Sequence, residues 1–195
     1  MLRFRIGETR VRVSVLFFAA AVVWLTLDES GLAVFCLLAS FLHEMGHLAA
    51  LAICGKQPAE VCAGIFGVRM TQNPKTPLSY WQNIFVSLAG PAVNLVMAAL
   101  LTAVRAQPGA VAVQLTIGFF NLLPVEALDG GQALLCLLCT RVQPPRAEQI
   151  VLGVSIAAIL PLATVGCLLL LISGYNFTLL AVSLYLGLLL LFKRR

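Results

Sequence analysis

Seven apolar runs punctuate the chain, at residues 13–27, 31–54, 81–104, 110–123, 130–139, 150–172 and 177–192, each bounded by charge, proline, glycine or asparagine. Runs of this kind predict helices that are apolar on every side rather than amphipathic ones. The run 110–123 would reach about 21 Å as a helix, short of a hydrocarbon core of about 30 Å. Residues Pro124 to Asp129 then separate it from the still shorter run 130–139. Together the two pieces predict one broken span, so seven runs make about six crossings. Backbone without helical hydrogen bonds is tolerated at membrane depth only where protein or a water-filled cavity surrounds it. The break, PVEALDGG, is therefore expected to line a site.

Two stretches between and before these runs have a different texture. Residues 59–71, AEVCAGIFGVRMT, are β-branched, aromatic and punctuated by glycine, which predicts a short β-hairpin. The amino-terminal MLRFRIGETRVRVS is expected to be a basic tail leading into the first span. It does not read as a secretory signal, because no small-residue cleavage site follows between Trp24 and Asp28.

Composition fixes the class. Of 195 residues, 61% are apolar and 11% charged, against about 45–50% and about 25% in ordinary soluble domains. The expected fold is an all-α polytopic membrane protein of about six transmembrane helices, with one broken span and a small β-hairpin, forming a single domain over 1–195. The 13 Lys and Arg residues orient it. With the amino terminus inside, Arg3, Arg5, Arg10, Arg12, Lys56, Arg69, Lys75, Arg141, Arg146, Lys193, Arg194 and Arg195 fall on the cytosolic side, and only Arg105 falls outside. Both termini are then cytosolic. Spread over separate segments instead of one face, these residues argue against nucleic-acid binding despite a net charge of +5. The six cysteines sit mostly in apolar runs, where a free thiol packs as a small hydrophobe. Cys136 and Cys139 form a CxxC without a second pair or a neighbouring histidine to complete a zinc set.

Both histidines of the chain lie in one motif, His43-Glu44-Met45-Gly46-His47, inside the second apolar run. Positions four apart differ by about 40° around a helix, so both imidazoles leave one face and can share a metal ion. Glu44, on the adjoining edge, can serve as base for an attacking water. Ionisable groups inside an apolar span are costly, which favours a functional role over a polar knot that merely ties helices together. His47 and His43 precede Cys54 by about 10 and 16 Å of helix. The metal would thus be submerged on the cytosolic side of the midplane, and the protein must supply a polar cavity opening inward. A catalytic zinc takes three protein ligands and keeps one position for water. The third donor must come from elsewhere, and Glu126 and Asp129, both in the broken span, are the candidates; Gly130 and Gly131 favour Asp129 by letting the backbone approach closely. Peptide-bond hydrolysis with one Zn2+ per chain is the leading reading. A metal-ion transporter using the histidines as a transit site would need further ligands along a path, which the outer halves of the spans do not offer. An inactive helix-binding scaffold would have no use for Glu44 beside the ligands.

In these residues the chain resembles the site-2 protease family of intramembrane zinc metalloproteases, peptidase family M50. HEMGH is similar to the family's HExGH, residues 87–94 (SLAGPAVN) to its AGPxxN segment, and the stretch from Asn121-Leu122-Leu123-Pro124 to Asp129-Gly130-Gly131 to its NxxPxxxxDGG signature. The three motifs fall in order within residues 31–140. The resemblance implies His43, His47 and Asp129 as zinc ligands, Glu44 as general base and Asn121 as a substrate-positioning residue. Asn94 matches a second polar position and is read as an interhelical hydrogen-bonding residue, worth on the order of 1 kcal/mol. Gly90 and Pro91 are read as allowing close helix contact and a local kink.

Within the family, the short length, the basic tail and the lack of an inserted PDZ-like domain resemble the sporulation-type branch, whose members cleave a membrane-associated pro-sigma factor. That branch implies a bacterial cytoplasmic membrane, a substrate of this class and inhibitory membrane proteins as partners. No carboxy-terminal CBS domain is expected, and Glu126-Ala127 stand where family members often have proline before Leu-Asp-Gly-Gly. A helical substrate hides its carbonyls in i to i−4 bonds and must unwind locally, and its extended stretch is expected to pair with the hairpin at 59–71.

Overall fold

Helices form where the seven apolar runs stand. In the computed structural model, which describes residues 2–6, 9–64, 67–74 and 76–192, the strands β1 (Leu2–Ile6) and β2 (Thr9–Val13) precede the helices α1 (Val15–Leu27) and α2 (Leu32–Ile53). Strands β3 (Pro58–Gly64) and β4 (Gly67–Gln72) follow, then α3 (Tyr80–Ala103), α4 (Pro108–Asn121), α5 (Asp129–Cys139), α6 (Pro144–Ser173) and α7 (Thr178–Phe192). Lys75, Lys193, Arg194 and Arg195, assigned above to the cytosolic side, lie outside the described residues. By length and composition α2, α3 and α6 are long and apolar enough to cross a membrane, whereas α1, α5 and α7 are shorter apolar helices. The helical ladder stops at Asn121 and resumes at Asp129, where the sequence predicts the break. The chain packs as two compact units, Met1–Phe120 and Asn121–Arg195.

In the first unit, α2 and α3 form the core. The buried residues Ala39, His43, Gly46, His47 and Ala50 recur at three- and four-residue steps along one face of α2. Contact there is made with almost no intervening side chain. A Cβ on Gly46 would stand 2.8 Å from the Ala89 carbonyl oxygen, and a Cβ on Gly90 would run into the His47 imidazole and come within 2.9 Å of His43 Cε1. Helix α3 is nucleated by a capping box: Ser79 Oγ accepts from the Gln82 amide at 3.2 Å and Gln82 Oε1 accepts from the Ser79 amide at 3.0 Å. Between α1 and α2, Asp28 accepts from the Ser30 hydroxyl at 2.5 Å and from the Ala33 amide at 2.7 Å. These bonds, the Ser30 hydroxyl first, hold its carboxyl below the ordinary aspartate range.

The sheet corrects two expectations. Residues 59–71 do form a hairpin, β3 pairing antiparallel with β4 from Pro58↔Gln72 to Gly64↔Gly67, although residues 65 and 66 at its tip lie outside the described residues. The amino-terminal stretch, however, is not a tail. It forms a second hairpin, and the two join in a four-stranded sheet of order β1-β2-β3-β4, so the fold is helical with a mixed sheet rather than all-α. The physical reason is in LRFRI and TRVRV, where charged and apolar residues alternate with the period of a strand. Strands β2 and β3 run parallel, with Arg10 opposite Glu60 and Arg12 opposite Cys62. Arg12 Nε lies 2.6 Å from Glu60 Oε1, and Thr9 Oγ1 donates to the Pro58 carbonyl at 2.8 Å. Because β2 runs into α1 and β3 follows α2, this pairing returns the end of α2 to the side on which α1 begins.

In the second unit, α6 opens with Pro144 in its first turn, where a missing amide hydrogen leaves no helical bond unmade. Gly166 lies against the α7 backbone at Leu180, and α7 buries Ser183, Leu186 and Leu190.

Gly46→Leu should force α2 away from α3 and cost about 1–3 kcal/mol, whereas Gly153→Leu, with open space around its Cβ position, should be close to neutral. Reversible detergent unfolding of the two variants beside the parent protein measures the difference.

Candidate metal centre

His43 and His47 are both buried on α2, and each has its Nδ1 atom committed. The Val86 carbonyl oxygen lies 2.7 Å from His47 Nδ1. A carbonyl only accepts, so Nδ1 of His47 carries the proton. Asn94 Oδ1 lies 2.7 Å from His43 Nδ1. The direction of that bond follows from the other end of the amide, whose Nδ2 donates to the Ala39 carbonyl at 3.0 Å and to Gln114 Oε1 at 2.6 Å. With its nitrogen on that side, Asn94 presents its oxygen to His43, and Nδ1 of His43 is also the protonated atom.

The consequence appears at the far side of the rings. Nε2 of His43 and Nε2 of His47 face each other at 3.1 Å. In both tautomers assigned above these nitrogens are acceptors, so two lone pairs meet at a distance that calls for a positive charge between them. The ring planes are nearly perpendicular, at 83°. Glu44, next along the helix, is half-buried.

The other sequence-predicted residues lie at the break. Asn121 is the last residue of α4 and Asp129 the first of α5. A carboxylate at a helix N-terminus is favoured by the helix dipole. The backbone between them is held inside its own unit. The Glu126 amide donates to Ser155 Oγ at 2.9 Å, Gln132 Nε2 donates to the Glu126 carbonyl at 2.6 Å, and Val125 is fully buried. Gly130 and Gly131 are required by close approach: a Cβ on either would collide with the backbone of Leu122 or of Val125. His43 and His47 lie on α2 in the first unit, and Asp129, the residue that the sequence offers as third donor, opens α5 in the second. The six cysteines are free thiols, Cys136 and Cys139 on α5 among them.

Two imidazole nitrogens facing each other are donors of the kind that catalytic zinc takes, and the committed Nδ1 atoms are the outer-shell bonds that zinc-binding histidines require. The residues present therefore fit a zinc ion. Asn94 does more than tie helices together, since it fixes the tautomer of His43. Gln114 and the carbonyls of Ala39 and Val86 are absent from the sequence-based expectations. Gln114 was detectable in principle, as an amide in the middle of an apolar run where any polar side chain needs a partner; the carbonyls carry no sequence signal. Replacing Asn94 with leucine should weaken Zn2+ binding about 10–100-fold, read by competition with a chromophoric chelator.

Residues 109–162 match the family model for Peptidase family M50, a stretch that includes Asn121 and Asp129. Over 105 residues the chain is 33% identical to the protein named "Putative zinc metalloprotease sll0528" of Synechocystis sp., an alignment covering 47% of this chain. The chain spans only 27% of that relative's length. In fold it is similar to the site-2 protease from Methanocaldococcus jannaschii, with a TM-score of 0.61 at 19% identity, over 95% of this chain and 91% of that one. In sequence the likeness to peptidase family M50 thus lies in residues 109–162, and in fold the chain resembles a site-2 protease.

Proposed function

We propose that this chain is an intramembrane zinc endopeptidase that hydrolyses a peptide bond of a membrane-associated protein within or near the bilayer. The observation that carries the reading is the facing Nε2 pair of His43 and His47 at 3.1 Å, each ring with its Nδ1 committed to an acceptor. In this reading the two Nε2 atoms and the Asp129 carboxylate hold one Zn2+ per chain. Such an ion would supply a more acidic water, with a pKa of about 7, and polarisation of the scissile carbonyl. Glu44, adjacent to His43 on the same helix, takes a proton from the attacking water and returns it to the leaving amine. Asn121, whose amide both donates and accepts, orients the substrate backbone.

A substrate helix must open before its carbonyls can be reached. Among the described residues strand β4 is one of the two outer strands of the sheet, and an unwound segment can add there as a further strand. We take a pro-sigma factor as the substrate class and a bacterial cytoplasmic membrane as the location, with residues 9–13 and 58–64 on its cytosolic face. The parallel pairing of β2 with β3 and the arginines of the first hairpin support this orientation.

Glu44→Gln is expected to retain zinc while cleavage of a candidate pro-sigma factor falls about 10²–10⁴-fold, and Asp129→Asn is expected to lose metal. Zinc analysis of the purified proteins, with gel detection of shortened product, decides both points. Cleavage by Glu44→Gln at the parent rate removes the proposed base, and full zinc content in Asp129→Asn removes the third ligand.

A further inference from the structure

Gln114 belongs to none of the motifs, yet it is 5% exposed on a helix whose other residues, apart from the terminal Asn121, are apolar, small or hydroxylic. Its oxygen receives one of the two amide hydrogens of Asn94, itself 0% exposed, and Asn94 in turn meets His43, at 6%. The three side chains come from α4, α3 and α2 and form a continuous buried chain of hydrogen bonds. We propose that Gln114 is a positioning residue for the metal centre, fixing the Asn94 amide and, through it, the tautomer of His43. The inference rests on the zinc reading above.

The two ends of a carboxamide have nearly the same shape, so only hydrogen bonds decide which way it points. A reversed Asn94 would turn its NH2 group toward His43 Nδ1. That nitrogen would then have to accept, and the ring proton would move to Nε2, the atom that faces His47 at 3.1 Å and that the proposed metal needs. Two acceptors oppose the reversal, the Ala39 carbonyl at 3.0 Å and Gln114 Oε1 at 2.6 Å. Ala39 lies four residues before His43 in α2, so its carbonyl is also the helical acceptor for the backbone amide of His43. The shorter bond, to an acceptor outside the helical ladder, is the more selective constraint. Gln114 therefore acts at one remove, touching neither metal nor substrate.

The test uses the full chain, purified, titrated with Co2+ and followed by the d–d absorption of the bound ion. Gln114→Leu and Gln114→Met, which remove the acceptor by different shapes, should each weaken Co2+ binding about tenfold or more. Gln114→Glu, which restores an acceptor, should bind close to wild type. The double variant Asn94→Ala, Gln114→Leu should bind no more weakly than Asn94→Ala alone, because Gln114 works through Asn94. In the metal-free protein, 15N shifts should report a protonated Nδ1 at His43 in the wild type and a mixture of tautomers in Gln114→Leu. Wild-type affinity in both apolar variants, or losses that add in the double variant, would overturn the proposal while leaving the zinc reading intact. A wild-type protein that binds no Co2+ would overturn the zinc reading and this inference with it.

Discussion

An imidazole can offer one nitrogen to a cation only when the other is committed as a donor, and inside packed apolar helices no bulk water is present to take that proton. The first unit supplies the two acceptors from α3, a backbone carbonyl at Val86 for His47 and a side-chain oxygen at Asn94 for His43. Every other arrangement in this unit can be read as serving that pair of bonds. Helix α3 must lie close to α2 and in one rotational setting, or neither oxygen reaches its ring. The interior magnifies the requirement, since a low local dielectric strengthens each satisfied bond and makes each unsatisfied one more costly.

Closeness is obtained by omission. Lipid tails are as apolar as leucine, so helices in a bilayer associate through van der Waals contact and polar bonds rather than by hiding from water. Gly46 lets α2 reach the Ala89 carbonyl, and Gly90 leaves the space that the His47 ring fills. In the second unit the same device works without a partner helix, where Gly130 and Gly131 admit the folded-back chain of residues 122–125 at the start of α5. Glycines with these distances are determined by what stands opposite them. Gly31, by contrast, is needed for its own backbone, which has a φ of 74°.

Much of this was legible in the residues alone. The helices follow the apolar runs within a few positions, because length and uniform hydrophobicity are local properties. The HEMGH spacing and the break before Asp129 could be read for the same reason. What escaped was non-local. The strands LRFRI and TRVRV alternate visibly, but their arginines suggested a solvated tail, and the partner that completes the sheet, β3, stands two helices later. Asn94 was recognised as a polar residue that must bond across helices, while its partner atom could not be known without the packing. Gln114 shows the complementary failure, a residue with no motif whose role exists only through a second residue.

The parallel register of β2 and β3 carries an implication for how the protein is made. Arg10 and Glu60 are neighbours in the sheet although two apolar helices separate them along the chain. During synthesis the pairing of β2 with β3 must wait until α1 and α2 have left the ribosome and the following strand has emerged. A chain in which α2 failed to fold back along α1 would leave β2 and β3 apart, with the inner edge of the first hairpin bare. The sheet thus records whether the opening helical pair has been threaded correctly before the rest of the protein assembles on it.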